Sequence, residues 1–448
     1  MTTPPPSRTR YAIVGLGSRA QMYVRALART HADRCELVAL CDVNRTRMDV
    51  HNRALTEQHG HAPVPTYAAA DFATMLAQKR VDAVVVATVD STHDEYVVAA
   101  LRAGCDVVTE KPMTVDAARC RRILDAQAET GGRVTVTFNY RYNPTHAKVR
   151  EVIASGAVGE VGSVHFEWLL DTRHGADYFR RWHRDKAASG GLMVHKATHH
   201  FDLVNWWIGS SPETVFGFGR LFFYGDENGR RRGLARDYVR AHGAPEAADD
   251  PFALRLADSP ALRSLFLDAE HEDGYHRDRN VFAPGVTIED DMTVAVRYRS
   301  GAAMSYHLTA YSPWEGYRVA FNGSAGRLEL DVVENPFVDP ASAGTVVGEA
   351  LHGADEPAAP GLRSGARLVL RRHWERPEVL ELPDTGGAAH GGGDERMLAR
   401  IFGAPAGPDP LGQASTHLDG ARSLLTGLAA NRSFETGLPV RVDDVLAL

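Results

Sequence analysis

Cysteine is scarce: the 448 residues contain four, Cys35, Cys41, Cys105 and Cys120, all in the first third. No two of them have the spacing of a zinc ribbon or a redox pair, so they read as reduced, small apolar residues rather than a disulfide framework. No apolar run approaches the ~20 residues a helix needs to cross a bilayer. The first ten residues, rich in Pro, Thr and Arg, lack the apolar core of a signal peptide. Basic charge never accumulates beyond Arg230-Arg231-Arg232, and the formal net charge is −7. Nucleic acid and anionic membrane are therefore poor candidates for the main partner. There is no internal repeat. A soluble, cytoplasmic, globular protein of two or three domains is expected.

What is present begins with a glycine turn. Tyr11-Ala12-Ile13-Val14 reads as a strand, Gly15-Leu16-Gly17-Ser18-Arg19-Ala20 follows, and a helical stretch runs from Gln21 to Thr30. This is the G-x-G-x-x-G/A pattern between a strand and a helix. Gly15 permits the tight turn, Gly17 lets backbone approach a pyrophosphate, and Ala20 allows close helix–strand packing. Ser18 and Arg19 lie within the same turn. A second strand, Leu37 to Cys41, ends at Asp42, roughly 25 residues past Gly17, where an acid reads a ribose 2′-hydroxyl. That acid favours NAD over NADP, and Arg45 and Arg47 just behind it moderate the preference.

Strand–helix alternation continues. Helices are predicted over 71–78, 90–103 and 114–131, and strands over 81–88, 107–109 and 134–138, which is the pattern of a doubly wound parallel sheet. Glu110-Lys111-Pro112 stands at the carboxyl end of the 107–109 strand, where open α/β sheets build their sites. Proline keeps Lys111 out of helix, and a partly buried ammonium has an adjustable pKa. His93 faces the cofactor or merely begins a surface helix; both readings stand.

Asn139 to Pro144, with Arg141, marks the crossover to a second domain. Between Asp171 and Arg184 the chain crowds together His174, Tyr178, Arg181 and Trp182 with other polar and aromatic groups. The mixture suits a polyhydroxylated ligand with an apolar ring face; the alternative is a solvated loop. A helix is predicted from Leu192 to Ile208. At 100° per residue, His195, His199, Asp202 and Trp206 share a stripe opposite an apolar back. Such a stripe serves catalysis, a structural polar network or a metal; no metal is expected, because spacing assures no third ligand. Strands are predicted over 161–170, 213–224, 287–299, 302–310, 317–321, 323–330 and 367–372, giving a mostly antiparallel sheet with helices on one face. Residues 225–284 form a charged insertion, a lid or an oligomer contact. Residues 335–363 and 386–394 read as loops, the latter bringing His390 among glycines, and 413–430 as a final amphipathic helix packing back toward the first domain.

The glycine turn, Asp42, Glu110-Lys111-Pro112 and the Gly-Gly-led helix bearing His199 and Asp202 together resemble the Gfo/Idh/MocA oxidoreductase family. The resemblance implies an N-terminal Rossmann domain with a doubly wound parallel sheet (1–138). It also implies a C-terminal α/β domain with an open, mostly antiparallel sheet (139–448), and a homo-oligomer. It implies hydride exchange between NAD and a secondary alcohol of a sugar, glycoside or cyclitol. By that carry-over Lys111 and His199 are catalytic, His199 the base, and Asp202 the downstream acid that orients it. His195 replaces the family's Asp and Ala197 its Gly, so His195 becomes a second acid/base or proton shuttle. The cofactor set is Gly15, Gly17, Ser18, Arg19, Ala20, Asp42, Arg45, His93, Glu110 and Lys111. The substrate set is Lys111, Arg141, His174, Tyr178, Arg181, Trp182, His195 and His199. Two other activities fit the resemblance: a redox-neutral, NAD-dependent glycosidase or lyase, and a non-catalytic dinucleotide or sugar sensor.

Overall fold

The computed structural model describes residues 8–339, 364–383, 389–404 and 407–448. Its first sheet has six parallel strands in the order β3-β2-β1-β4-β5-β6. The strands β1 (Thr9–Val14), β2 (Cys35–Asp42), β3 (Thr66–Ala68), β4 (Ala83–Val86), β5 (Asp106–Thr109) and β6 (Val134–Val136) alternate with α1 (Ala20–Arg25), α2 (Arg45–His59), α3 (Phe72–Lys79), α4 (His93–Arg102) and α5 (Ala117–Thr130). Strand direction of connection reverses between β1 and β4, so a crevice opens at their carboxyl ends. Asn44 and Asp116 cap α2 and α5 by accepting backbone N–H bonds, and Gly60 and Gly131 end those helices with left-handed φ.

The second sheet has nine strands in the order β14-β13-β12-β11-β7-β10-β9-β8-β15. They are β7 (Val161–Asp171), β8 (Pro212–Arg220), β9 (Asp291–Tyr298), β10 (Ala303–Ser312), β11 (Glu315–Gly323), β12 (Gly326–Asn335), β13 (Gly365–Arg372), β14 (Glu378–Leu380) and β15 (Val440–Arg441). Among the described residues of this sheet, only β7 and β10 pair in parallel. Along β9, Met292, Val294, Val296 and Tyr298 are buried while Thr293, Ala295 and Arg297 are exposed, so one face alone carries the core.

Several elements depart from the sequence reading. The 43–70 stretch holds α2 and β3, which periodicity misses because polar Arg47 and His51 share the buried face of α2 with Met48 and Leu55. The strand drawn over 213–224 stops at Arg220, because the carboxylate of Asp290 takes the N–H groups of Phe222, Phe223 and Tyr224. The helix drawn over 192–208 is interrupted at Lys196, giving a short Leu192–His195 turn and a main Ala197–Ile208 helix. Of the two glycine-rich loops, 340–363 and 384–388 lie outside the described residues, as does the side chain of His390.

The His417–Thr436 helix lies between the sheets. Its Ala421 and Leu424 belong to the apolar cluster beneath β5, β6 and α5, and its Leu425, Ala429 and Ala430 to the cluster under the second sheet. A Cβ at Gly427 would stand 2.4 Å from the Met193 carbonyl oxygen, so this contact requires glycine. The 225–284 insertion builds a small core of its own from Leu254, Leu256, Leu262, Leu265 and Phe266, against which Val50 of α2 packs.

Candidate active site

One cavity of about 460 Å³ spans the carboxyl edge of the first sheet, the insertion and the Leu192–His195 turn. At one end is the glycine turn. Gly15 has φ +86°, and a Cβ there would stand 2.5 Å from the Ala87 backbone, so the chain must turn this tightly beneath β4. A Cβ on Gly17 would meet nothing within 4 Å, which leaves its backbone open to a ligand. Ser18 Oγ and Arg47 Nη2 are buried here with no hydrogen-bond partner among the described residues. A turn of open amides beside unsatisfied donors suits a dinucleotide's phosphates and ribose.

Asp42 occupies the expected place. Its oxygens accept from the Leu16 and Asn44 amides at 2.6 and 2.8 Å, and burial raises its pKa despite those bonds. Arg47 faces it at 3.9 Å, pairs with Asp273 of the insertion at 2.6 Å, and donates from Nε to the Leu265 carbonyl at 3.1 Å. Arg45 is not part of this wall: it opens α2 on the outside, its amide donating to Glu272. Ala20 is fully buried beneath the turn, packing rather than lining. Arg19 bonds Glu110 at 2.7 Å and Asp394 at 2.8 Å. Burial works against the Glu110 charge, but Arg19, Lys111 and the Tyr23 hydroxyl outweigh it and hold the pKa below its ordinary value. His93 is fully buried, with one ring nitrogen on the Pro112 carbonyl and the other on that of Thr88. It supports the Lys111-Pro112 turn from behind and does not face the cavity, because α4 directs it inward.

At the other end Lys111 meets the Leu192–His195 turn, Nζ donating to the His195 carbonyl at 3.4 Å. Burial brings its pKa down to about 8, against the opposing pull of Asp90 and Glu110. His195 Nδ1 lies 2.5 Å from Asp90 Oδ2, and its Nε2 makes no hydrogen bond among the described residues. Burial, the largest influence on both, favours the neutral imidazole and opposes the charge on Asp90. The His183 ring stands 4.1 Å from that of His195 and stacks on Trp182 at 3.6 Å. His199 stacks on Tyr140 with centroids 4.3 Å apart. Lys196 donates to the Tyr140 hydroxyl at 3.1 Å and lies over Trp168. His174 joins Glu315 at 2.6 Å and the Tyr178 hydroxyl at 3.2 Å. Arg181 pairs with Asp177 at 3.1 Å.

Two more of the expected residues, Asp202 and Arg141, turn away. Asp202 does not orient His199: both its oxygens are taken by Arg141, at 2.6 and 2.8 Å. Arg141 is held further by Asp419 and the Gly412 carbonyl, and neither residue borders the cavity. This buried pair braces the crossover, the main helix and the His417–Thr436 helix. Residues the sequence reading passed over include Asp90, Tyr140, Lys196 and Phe266, all in the cavity wall; His183 of the polar 171–184 segment and Asp273, Tyr275 and Arg277 of the 273–278 stretch, read as a lid or an oligomer contact, border the cavity as well. Asp90 had a signal, being the acid at the carboxyl end of the β4 segment; for the insertion the sequence offered a lid or an oligomer contact, and folding brings its Phe266, Asp273, Tyr275 and Arg277 to the cavity. Among the described residues no three His, Cys, Asp or Glu side chains are placed to hold a metal, and no helix is long and apolar enough to cross a membrane.

Comparison with known proteins agrees with this geometry. Residues 9–138 match the NAD-binding Rossmann-fold model of the Gfo/Idh/MocA oxidoreductases, and residues 150–442 match the model of their C-terminal alpha/beta domain. YteT of Bacillus subtilis, an oxidoreductase by name, is 35% identical over 414 residues, 89% of this chain and 88% of YteT. Inositol 2-dehydrogenase of Rhizobium meliloti is 29% identical over 46% of this chain and 57% of its own length. In fold, the chain is similar to the WlbA dehydrogenase of Bordetella pertussis solved with NADH and UDP-GlcNAcA (TM-score 0.62, 20% identity, 99% of this chain and 100% of WlbA). It is also similar to the aldose-aldose oxidoreductase of Caulobacter crescentus (TM-score 0.60, 18% identity, 97% and 100%). With both halves matched in order along the chain, the protein belongs to the Gfo/Idh/MocA family of oxidoreductases, whose Rossmann domain binds a nicotinamide dinucleotide.

Proposed function

We propose that this oxidoreductase uses NAD to interconvert a secondary alcohol and a ketone on a sugar, glycoside or cyclitol. The observation that supports it most is the convergence of Lys111, His195 and His199 in one cavity with the glycine turn. The inositol dehydrogenases among its relatives favour the substrate class. A nicotinamide bound there supplies the hydride chemistry. The chain's own residues manage the proton. Lys111 hydrogen-bonds the reacting hydroxyl and stabilises developing negative charge. His195 takes the proton on Nε2, and Asp90 stabilises the resulting imidazolium across Nδ1. This places the base at His195, whose Nδ1 meets the Asp90 carboxylate. His199 holds the hydroxyl against the Tyr140 platform.

Incubating the protein with NAD and a panel of sugars, glycosides and cyclitols, and following reduced-nicotinamide absorbance, tests the reading. Lys111→Ala and His195→Ala are each expected to lower kcat by about two orders of magnitude. Near-wild-type turnover in both would overturn these roles. The placement of His183 against His195 favours a second reading, redox-neutral glycoside cleavage, which needs an extra base. Aglycone release without net NADH would mark it.

A further inference from the structure

We infer that the 225–284 insertion selects the coenzyme, with Asp273 excluding the 2′-phosphate of NADP. The inference rests on reading this cavity as a nicotinamide-dinucleotide site. Arg47, two residues into α2, is the side chain that would receive a 2′-phosphate beside Asp42. It is not available as a free cation. Asp273 holds its Nη1 at 2.6 Å, and Phe266 and Tyr275, both from the insertion, stand with ring centroids 5.8 Å from its guanidinium carbon. Nε is committed to the Leu265 carbonyl, also from the insertion. Two carboxylates, Asp42 and Asp273, thus face one guanidinium. The nitrogen left without a hydrogen-bond partner among the described residues, the buried Nη2, suits a neutral ribose hydroxyl. A phosphate dianion would meet both carboxylates in a buried place, where repulsion is strong.

The test is binding of NADH and NADPH, each titrated by fluorescence to purified full-length protein, with circular dichroism confirming the fold. Asp273→Asn removes one carboxylate charge and releases Nη1, and is expected to raise the NADPH:NADH affinity ratio about tenfold. A rise below threefold overturns the inference. Asp273→Glu retains the charge and should leave the ratio at the wild-type value; a rise equal to that of Asp273→Asn also overturns it. Asp273→Ser, read by the same threshold, takes the place of Asp273→Asn if the latter does not fold. A wild-type protein that binds neither coenzyme sinks the dinucleotide reading itself, and the inference with it, whereas tight NADH binding with an unmoved ratio sinks the inference alone.

Discussion

Burial governs the chemistry of single side chains in this cavity. Glu315, which backs the cavity residue His174, is an example with a measurable consequence. Burial and the neighbouring Asp171 push its pKa up to about 8, while Lys196 pulls the other way. The folded chain therefore holds a proton that the unfolded chain releases near the ordinary carboxylate value, and stability falls as pH rises between the two. Below about pH 6.5 the partner His174, held down to about 3 by burial and Lys196, adds the opposite slope, because the unfolded imidazole gains a proton there. The clear window is thus pH 6.5 to 8. The Glu315 contribution to stability is expected to drop by about 1–2 kcal/mol across it, read as the difference between wild type and a variant that cannot titrate there. Glu315→Gln, which imitates the protonated carboxyl, should flatten that slope in pH-resolved denaturant unfolding. An equal slope in both proteins would refute the assignment. At the same scale, Asp90→Asn should lower kcat by roughly tenfold or more with little change in KM, since the carboxylate acts through His195 and not on the substrate. A pure KM effect would move Asp90 from the proton path to substrate binding.

Whole elements place these groups. The Leu192–His195 turn carries His195 to Asp90, and it is held from behind by the His417–Thr436 helix. Gly427 is the point of closest approach, where any Cβ would collide with the Met193 carbonyl. Gly427→Ala is expected to destabilise the fold by about 1–3 kcal/mol, as overpacking does, and to lower turnover by displacing His195. Thermal unfolding and steady-state kinetics on the same variant check both. The Arg141–Asp202 pair belongs to this scale as well. Both partners are buried, so removing one strands the other. Arg141→Met should cost about 3–5 kcal/mol while the coenzyme affinity of the folded fraction stays unchanged.

At the scale of the molecule, both sheets share one helix. Leu424 packs in the core of the first sheet and its neighbour Leu425 in that of the second. The two halves are therefore expected to unfold together, in one calorimetric transition, although each has a core of its own. Leu424→Ala should lower that single transition by about 2–5 kcal/mol and leave it single. Two resolved transitions would show that the halves fold independently. The cavity has the same dual ownership, for Lys111 and Asp90 come from one half and His195 from the other.

By itself the sequence determined the parts whose physics is local. A strand, a glycine turn and a helix follow one another within some twenty residues, so the dinucleotide fold and the position of Asp42 were legible from spacing alone. Lys111 was legible because Pro112 and a short apolar strand constrain it from both sides. The His195–His199–Asp202 stripe was legible as a pattern, yet its partners were not. Which carboxylate meets which cation depends on contacts between residues far apart in the chain, and helical periodicity carries no information about them. Tertiary structure alone gave Asp202 to Arg141, Asp90 to His195 and Asp273 to Arg47, because buried charges must find partners and the nearest ones came from other elements.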